Sequence, residues 1–483
     1  MKSKEPFVEA MENYRKAQVY PLHTPGHKGG RGACASLAAL LGAKALASDV
    51  SLMEELDDIH NPHSCLQQAE QLAAELYGAT RTFFVPNGTT GALHALLLGA
   101  LRPGDKILLP RNAHRSVYGG VILAGLEPVY LVPEYSADWQ MPLQVTAEDV
   151  SCALKKDPDI KAVFLTSPNY YGLAADTTAI AKLIHAYGGV LLVDEAHGPH
   201  LGFSSHLPPS ALSCGADGVA QSTHKIVGAL TQCSLLHFQG KRLNGDFMAK
   251  AMSLVTTTSP NNLLLASLDA SRAQLAKGGQ QMVEAALAAA AVLRGALDKV
   301  AGLRILDERI IGIGGVVALD ATKVTVDVRG LGLTGIEAGA LLRRNNIAVE
   351  LVDESKVLFL VTYGDELEEL TTVAERIAKA LDEGRKPLTV KQEPLWLPPL
   401  PQSGLNLRQA FFARKEVVHW TKAVGRLSGE ELCFYPPGIP LLLPGEIITE
   451  DLLYYCRKML DLGMHMTGPT DGSLETIQVI NNA

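Results

Sequence analysis

Cysteine is sparse in this 483-residue chain, with seven residues scattered along its length. They include no CxxC pair and no spacing typical of metal ligands. The pattern therefore favours neither a disulfide framework nor a zinc site. We expect a protein of the reducing cytoplasm that holds no metal ion.

Long apolar runs and an excess of basic residues are also missing. No uninterrupted apolar stretch is long enough to span a bilayer, and the first residues lack the apolar segment of a secretion signal. The net charge of −8 and a pI near 6.0 leave no basic stripe that could neutralise phosphates. We expect neither a membrane nor a nucleic acid as partner. The 47% of hydrophobic and 19% of charged residues are typical of a globular protein.

Two polar clusters follow apolar runs in the middle of the chain. Lys225 comes shortly after the run 217–220, and Asp194 follows the glycine-led run 188–193. Both runs predict buried strands, and open α/β sheets bind ligands at the carboxyl ends of their strands. A lysine there can extend its ammonium group to water. Paired with an aspartate, it suits pyridoxal 5′-phosphate: lysine forms the Schiff base, and aspartate keeps the pyridine nitrogen protonated.

A third cluster lies between a strand predicted at 82–85 and a helix predicted to run through residue 101. The connecting turn contains Gly88, followed by the hydroxyl side chains of Thr89 and Thr90. Backbone N–H groups at a helix N-terminus, together with hydroxyl groups, can bind an anion. An N-capping threonine would give the same pattern, so this cluster alone does not decide between the two interpretations.

Strand-like and helix-like segments alternate from residue 106 to residue 194. Such repeated βα units predict a mostly parallel sheet covered by helices. His114 follows the strand predicted at 106–110 and would lie at the same sheet edge as the other candidates. A histidine there is often structural, but one that faces a cofactor ring can stack on it and donate a proton.

The rest of the chain predicts smaller domains. Strands predicted at 323–328, 347–352 and 357–361 alternate with helices near 334–343 and 365–381, as in a small α+β domain. We expect five parts along the chain: an N-terminal segment at 1–60 that contributes to the active site or a dimer contact, a large cofactor-binding domain at 61–300, the small domain at 301–390, a proline-rich linker at 391–403 and a C-terminal domain at 404–483.

Seven short motifs occur in a fixed order: Pro25-Gly26-His27-Lys28, Leu56-Asp57-Asp58, Asn87-Gly88-Thr89-Thr90, Asp194-Glu195-Ala196-His197-Gly198, Ser222-Thr223-His224-Lys225, Thr258-Ser259-Pro260 and Tyr435-Pro436-Pro437-Gly438-Ile439-Pro440. Together they resemble the ornithine/lysine/arginine decarboxylases, and most of all the short biosynthetic arginine decarboxylases. The resemblance implies an α/β fold: a large aspartate-aminotransferase-like domain of fold type I with a mostly parallel sheet, a small α+β domain and a C-terminal α+β domain. The chain departs from the family pattern at Pro62-His63 and at Asn261-Asn262, which leaves the shape of the substrate pocket open.

The resemblance also implies a role for individual residues. Lys225 would carry pyridoxal 5′-phosphate and Asp194 would contact its pyridine nitrogen. Four residues would surround the phosphate: Thr89, Thr90, Ser222 and His224. Three would line the ring: His114, Ala196 and His197. Ser259 would reach the phosphate of the neighbouring subunit, since the active sites of this fold lie at the interface of a homodimer or higher homo-oligomer.

The implied reaction is decarboxylation of a basic amino acid, with a proton returned by His224 or Lys225. Arginine, giving agmatine for polyamine biosynthesis, is preferred over lysine and ornithine by family analogy alone. Five acidic residues could bind the distal cation of the substrate: Glu54, Glu55, Asp57, Asp58 and Glu446. A fold type I aminotransferase or β-elimination lyase would share Asp194 and Lys225, and a catalytically silent homologue is the non-enzymatic alternative.

Overall fold

The computed structural model describes residues 3–51, 53–388, 397–434 and 438–481. The chain divides into two compact units. Unit 1 consists of Met1–Leu101, Ala162–Pro168 and Thr177–Glu284, and unit 2 of Arg102–Lys161, Asn169–Asp176 and Ala285–Ala483.

The helices, in chain order, are α1 (Pro6–Lys16), α2 (Ala35–Ser48), α3 (Cys65–Tyr77), α4 (Gly88–Ala100), α5 (Arg115–Ala124), α6 (Ala147–Lys156), α7 (Thr177–Ala186), α8 (Thr223–Ile226), α9 (Gly245–Val255), α10 (Asn262–Leu297), α11 (Gly335–Arg344), α12 (Leu367–Glu383), α13 (Leu407–Phe412) and α14 (Glu450–Asp461). None of these described helices is long and apolar enough to cross a bilayer.

The strands, in chain order, are β1 (Arg81–Val85), β2 (Lys106–Pro110), β3 (Glu127–Leu131), β4 (Tyr135–Ser136), β5 (Met141–Pro142), β6 (Ile160–Thr166), β7 (Leu173–Ala175), β8 (Val190–Asp194), β9 (Gly218–Gln221), β10 (Ser234–Phe238), β11 (Arg304–Ile305), β12 (Val316–Leu319), β13 (Lys323–Asp327), β14 (Leu351–Val352), β15 (Lys356–Leu360), β16 (Lys415–His419), β17 (Leu432–Phe434), β18 (Ile439–Leu442), β19 (Met466–Thr467) and β20 (Thr476–Ile480).

In unit 1 the strands follow the order β1–β10–β9–β8–β6. β8 runs parallel to both β6 and β9, whereas β10 is antiparallel to β9 and to β1. Every residue of β8 is buried, as expected for a strand with helices on both faces. The register pairs Asp194 with Ala220, so the carboxyl ends of β8 and β9 lie side by side.

The apolar core of unit 1 explains why its N-terminal helices form where they do. α1 carries Phe7, Met11 and Tyr14 on one face, and these side chains pack into the same cluster as Leu66 of α3 and Phe84 of β1. α3 ends at Gly78, whose left-handed backbone is typical of a helix C-terminus.

Unit 2 contains the parallel pair β2–β3 and several smaller sheets. β11–β13–β15–β14 form a four-stranded antiparallel sheet, and α11 and α12 pack with it around one apolar cluster. The C-terminal part holds β18–β17–β19, the pair β16–β20 and α14, which share a separate core. These parts confirm the α/β fold with additional α+β regions.

Several predicted elements match closely and one strand is shorter than predicted. The sequence also predicts a helix at 263–297 with a break at the glycines near Gly278. It is α10, and Gly278, with φ of −152°, is the residue where the helix is interrupted. The strand predicted at 347–352 is reduced to Leu351–Val352. The reason is local: the N–H of Ile347 bonds to the carbonyl of Leu342, so this stretch completes the end of α11.

Two expectations from the sequence fall partly outside the described residues. The residues outside are 391–396 of the proline-rich linker and Tyr435-Pro436-Pro437 of the last motif. The five domain boundaries stay a prediction.

Candidate active site

Lys225 lies just beyond the carboxyl end of β9. The strand ends at Gln221, Ser222 follows as the N-cap of α8, and Lys225 is in that four-residue helix. Its Nζ lies 2.9 Å from Nε2 of His197. A charged ammonium group can only donate here, so His197 then carries its own proton on Nδ1. The lysine is half-buried and has a neighbour that can take up a proton from it.

Asp194 is the last residue of β8 and is 4% exposed. Its Oδ1 accepts the N–H of Ala196 at 3.0 Å. Burial raises the pKa of this carboxyl group, and the positive charge of Lys225 together with the Ala196 N–H offsets only part of that effect. A desolvated carboxylate of this kind gains most from a partner that brings a proton and a positive charge, as a pyridinium nitrogen does.

Three hydroxyl groups meet where α4, β10 and the end of β9 converge. Ser234 Oγ donates to the carbonyl of Gln221 at 2.7 Å, because a carbonyl oxygen can only accept. Ser234 must then accept the proton of Thr89, 2.9 Å away, and Thr89 in turn accepts from Ser222. The hydroxyls of Thr89 and Ser222, both predicted phosphate ligands, are therefore brought together.

A buried hydroxyl group next to this cluster in sequence marks it as a place for an anion. Thr223 Oγ1 has no hydrogen-bond partner within the described ranges. Gly88 begins α4 with φ of +73°, a conformation that glycine adopts without strain. The unpaired Thr223 hydroxyl and the first N–H groups of α4 are the donors that a phosphate needs. These residues fit the phosphate of pyridoxal 5′-phosphate.

The imidazole ring of His224 is held by a hydrogen bond to the backbone. Its Nδ1 lies 2.9 Å from the carbonyl oxygen of Cys233, so Nδ1 carries the proton of this contact. The neutral ring then has its lone pair on Nε2. His224 can consequently take up a proton at Nε2 and return it, as its predicted role requires.

Apart from the hydroxyl cluster, a row of polar side chains crosses the neighbouring strands β8, β9, β10 and β1. Gln221 Nε2 donates to Glu195 Oε2 at 2.7 Å, and Gln221 Oε1 lies 3.1 Å from Nε2 of His237. The other ring nitrogen, Nδ1, lies 2.7 Å from the hydroxyl of Thr82. Burial raises the pKa of Glu195 to about 8 and lowers the pKa of His237 to about 3. This row is therefore neutral near pH 7.

The structure does not bring all predicted site residues into these contacts. Thr90 is exposed on α4, and the exposed Ser259 donates its N–H to Thr257 Oγ1 at 3.2 Å. Ala196 is buried beside Asp194. His114 belongs to unit 2, where it caps α5 by accepting the N–H of Ser116.

Two of the acidic candidates for binding the substrate cation are already occupied, which corrects the sequence-based expectation for them. The carboxylate of Asp57 accepts the N–H groups of His63, Ser64 and Leu66 at 2.9, 2.7 and 3.1 Å, so it holds the start of α3.

In unit 2, Glu446 is a buried partner of Arg111, with Oε2 2.9 Å from the guanidinium. Glu54, Glu55 and Asp58 remain as exposed carboxylates.

Sequence reasoning missed Ser234, Gln221 and the side-chain role of Glu195. The available signal was polar residues within short apolar strands: Ser234 and His237 lie in β10, whose five residues are all buried. No group of three or more His, Cys, Asp or Glu residues in the described part of the chain could hold a metal ion.

Comparison with known proteins places these observations in a family context. Residues 5–369 match the family described as "Orn/Lys/Arg decarboxylase, major domain". Residues 405–469 match "Orn/Lys/Arg decarboxylase, C-terminal domain". The two matches cover both the candidate site and the C-terminal region.

Individual relatives align over nearly the whole chain. A Bacillus subtilis protein named arginine decarboxylase is 38% identical over 481 residues, which is 98% of this chain and 97% of that protein. A Bacillus anthracis arginine decarboxylase is 38% identical over 480 residues, with the same coverage of 98% and 97%. The crystal structure of lysine decarboxylase LdcF from Francisella novicida superposes with a TM-score of 0.83 at 22% identity, covering 99% of this chain and 81% of that one. This last likeness shows a shared fold.

Proposed function

Because the chain belongs to the Orn/Lys/Arg decarboxylase family, we propose that it uses pyridoxal 5′-phosphate to convert L-arginine to agmatine and carbon dioxide. Its fold is the aspartate-aminotransferase-like fold type I, and it is an amino-acid decarboxylase. The observation that carries the cofactor assignment is the placement of Asp194 and Lys225 at the carboxyl ends of two adjacent parallel strands.

Different residues of unit 1 would hold the phosphate and the ring of the cofactor. The hydroxyl of Thr223 and the N-terminus of α4 would donate to the phosphate, and Ser222, which Thr89 holds in place, would turn its hydroxyl proton from Thr89 to the phosphate. Asp194 would keep the proton on the pyridine nitrogen, because its buried carboxylate has few other partners. When bound, pyridoxal 5′-phosphate supplies an electron sink that accepts the electron pair left behind by carbon dioxide.

Protons would be moved by the residues around Lys225. Lys225 would anchor the cofactor, and its amino group can pass a proton to Nε2 of His197, 2.9 Å away. Either Lys225 or Nε2 of His224 would return a proton to the α-carbon of the substrate. Both groups lie within the same short stretch after β9, so this chemistry is concentrated at one strand end.

Arginine is the proposed substrate because the similar Bacillus proteins are named arginine decarboxylases. A guanidinium group favours a carboxylate that can accept two parallel hydrogen bonds. Asp57 and Glu446 are occupied, so Glu54, Glu55 and Asp58 are the remaining candidates for this contact. Lysine and ornithine are the alternative substrates.

Other assignments stay predictions that rest on the family resemblance. They are ring stacking by His114, phosphate binding by Thr90, donation by Ser259 across a homodimer, a cytoplasmic location and a place in polyamine biosynthesis.

Product analysis tests the proposal. The purified protein, loaded with pyridoxal 5′-phosphate, is incubated separately with arginine, lysine and ornithine, and the amine and carbon dioxide are quantified. We expect agmatine and carbon dioxide in equal amounts, with the highest kcat/KM for arginine, and no product from Lys225→Ala. A keto acid in place of the amine would reassign the protein to transamination, and no amine from any substrate would reject decarboxylation.

A further inference from the structure

A row of buried side chains links four neighbouring strands of unit 1. Its members are Thr82 in β1, His237 in β10, Gln221 in β9 and Glu195 just after β8, and all four are at most 1% exposed. Glu195 and Gln221 are each adjacent in sequence to a residue of the candidate site, Asp194 and Ser222 respectively. The row therefore connects the strand ends that carry the site.

The direction of each hydrogen bond in the row can be assigned. The amide nitrogen of Gln221 donates to Glu195 Oε2, so its oxygen faces His237 and accepts from Nε2. With its proton on Nε2, the neutral ring accepts the Thr82 hydroxyl proton at Nδ1. The contacts between Thr82, His237, Gln221 and Glu195 thus form one continuous chain with a consistent direction. A buried hydrogen-bonded chain of this kind restricts the positions of its members.

The backbone extends the same connection to the site. The N–H of Glu195 bonds to the carbonyl of Ala220 at 2.9 Å, and the other carboxyl oxygen of Glu195 accepts the N–H of Ala211 at 2.6 Å. The carbonyl of Gln221 accepts from Ser234, which belongs to the hydroxyl cluster. Glu195 and Gln221 are therefore fixed on both sides, and Asp194 and Ser222 cannot shift without disturbing them.

We propose that Glu195 and Gln221 are positioning residues, which set the distance between Asp194 at the end of β8 and the Ser222–Lys225 segment at the end of β9. The inference rests on the proposed function, because it assigns Asp194 and Lys225 to the cofactor. Active-site groups need placement to within a fraction of an ångström, and a shift of about 1 Å can lower the rate by about a hundredfold.

Glu195→Gln and Glu195→Ala separate positioning from simple burial. A glutamine has the shape of a neutral glutamic acid, and the burial that raises the pKa of Glu195 to about 8 makes the neutral acid the relevant form near pH 7. In Glu195→Gln the amide oxygen can still accept from Ala211, while Gln221 can flip its amide and His237 can move its proton to Nδ1, so the bonds between the side chains can be remade in the opposite direction. In Glu195→Ala the bonds from Gln221 and Ala211 are lost.

Asp217 offers a matched control at the other end of the same strands. It is also buried, and its Oδ2 accepts the N–H of Leu191 in β8 at 2.8 Å, at the end of the strand away from Asp194. Asp217→Asn should lower the thermal unfolding temperature and leave the site unchanged. Gln221→Leu is the second test variant, since it breaks the row without removing Glu195.

The experiment measures kcat with arginine, thermal unfolding and the pH midpoint of the cofactor absorbance change in the holoenzymes. We expect Glu195→Ala and Gln221→Leu to lower kcat at least about tenfold and to shift the absorbance midpoint, and Glu195→Gln and Asp217→Asn to keep kcat within about twofold of wild type. If Glu195→Ala and Gln221→Leu keep wild-type kcat and midpoint, or change them no more than Asp217→Asn does, the inference is wrong. A wild-type protein that forms no amine would instead reject the proposed function.

Discussion

Asp194 illustrates how a single side chain can be held for chemistry more than for folding. It is buried, yet its carboxylate receives one backbone N–H, from Ala196, and the nearby charge of Lys225. Burial prevails over both and raises its pKa. A buried carboxyl group with so few partners adds little to stability, because its desolvation opposes the gain from those contacts.

Asp194→Ala should therefore impair turnover while preserving the fold. We expect kcat to fall by more than about tenfold, which corresponds to about 1.4 kcal/mol of transition-state stabilisation, with thermal unfolding at or above the wild-type temperature. Steady-state kinetics of the holoenzyme and calorimetry of the cofactor-free protein check the two parts, since bound cofactor would itself raise the unfolding temperature. A variant that keeps more than about a tenth of wild-type kcat would show that Asp194 does not support the chemistry.

Glu70 of α3 is a second buried carboxyl group and has a structural effect instead. Its Oε1 accepts the N–H of Phe84 at 2.9 Å. Burial raises its pKa from 4.5 to about 8, with the Phe84 N–H and the charge of Arg81 opposing this shift. The folded protein therefore keeps this proton at pH values where the unfolded chain has lost it. The resulting stability is fully present below pH 4.5 and is lost as the pH rises towards about 8.

Glu70→Gln should flatten the pH dependence of stability. In wild type this one group can lower the free energy of unfolding by up to about 1.4 kcal/mol per pH unit between the two pKa values. We expect the variant to lose less stability than wild type between pH 5 and pH 8 in urea titrations. Glu75→Gln, an exposed change on the same helix, serves as the control. Equal slopes for wild type and Glu70→Gln would contradict the assigned burial effect.

At the scale of elements, α3 depends on a carboxylate that lies outside the helix. Asp57 has φ of +68° and accepts the N–H groups of His63, Ser64 and Leu66. Burial tends to raise its pKa, but these N–H groups outweigh it, and the pKa lies below its usual value. The acidic cluster predicted as a substrate contact is, at this position, a helix cap.

Asp57→Ala should consequently affect folding and leave substrate binding unchanged. The loss of a cap with several backbone hydrogen bonds is expected to lower the free energy of unfolding by about 2 kcal/mol. Denaturant unfolding and the KM for arginine should be compared with those of Asp58→Ala, a change at the neighbouring exposed carboxylate. A large rise in KM without loss of stability would instead assign Asp57 to the substrate.

The elements that could be predicted are those specified by local sequence. The apolar spacing and terminal residues of 6–16 and of about 65–77 are local signals that predict helices there, and these helices are α1 and α3. The sequence does not predict α2, since its apolar residues surround the helix axis and Gly42 interrupts it. Asp194 and Lys225 could be found because strand ends are visible in sequence. Ser234 and the Glu195–Gln221 contact depend on pairing between distant strands, which no local pattern shows.

At the scale of the whole molecule, family membership and site geometry lead to the same assignment by separate routes. The family matches extend over residues 5–369 and 405–469. The geometry rests on β8 and β9, whose parallel pairing brings Asp194 beside Ala220 and so near the segment that contains Lys225. The central claim is that this lysine, among all those in the chain, carries the cofactor.

Chemical trapping of the cofactor tests that claim most directly. The holoenzyme is reduced with borohydride, which converts the C=N bond between cofactor and lysine into a C–N single bond that water cannot cleave, and is then digested and analysed by mass spectrometry. We predict a single modified peptide with the label on Lys225, and no labelled peptide from Lys225→Ala treated in the same way. A label on a different lysine, or a wild-type protein that takes up pyridoxal 5′-phosphate without forming any such bond, would contradict the account.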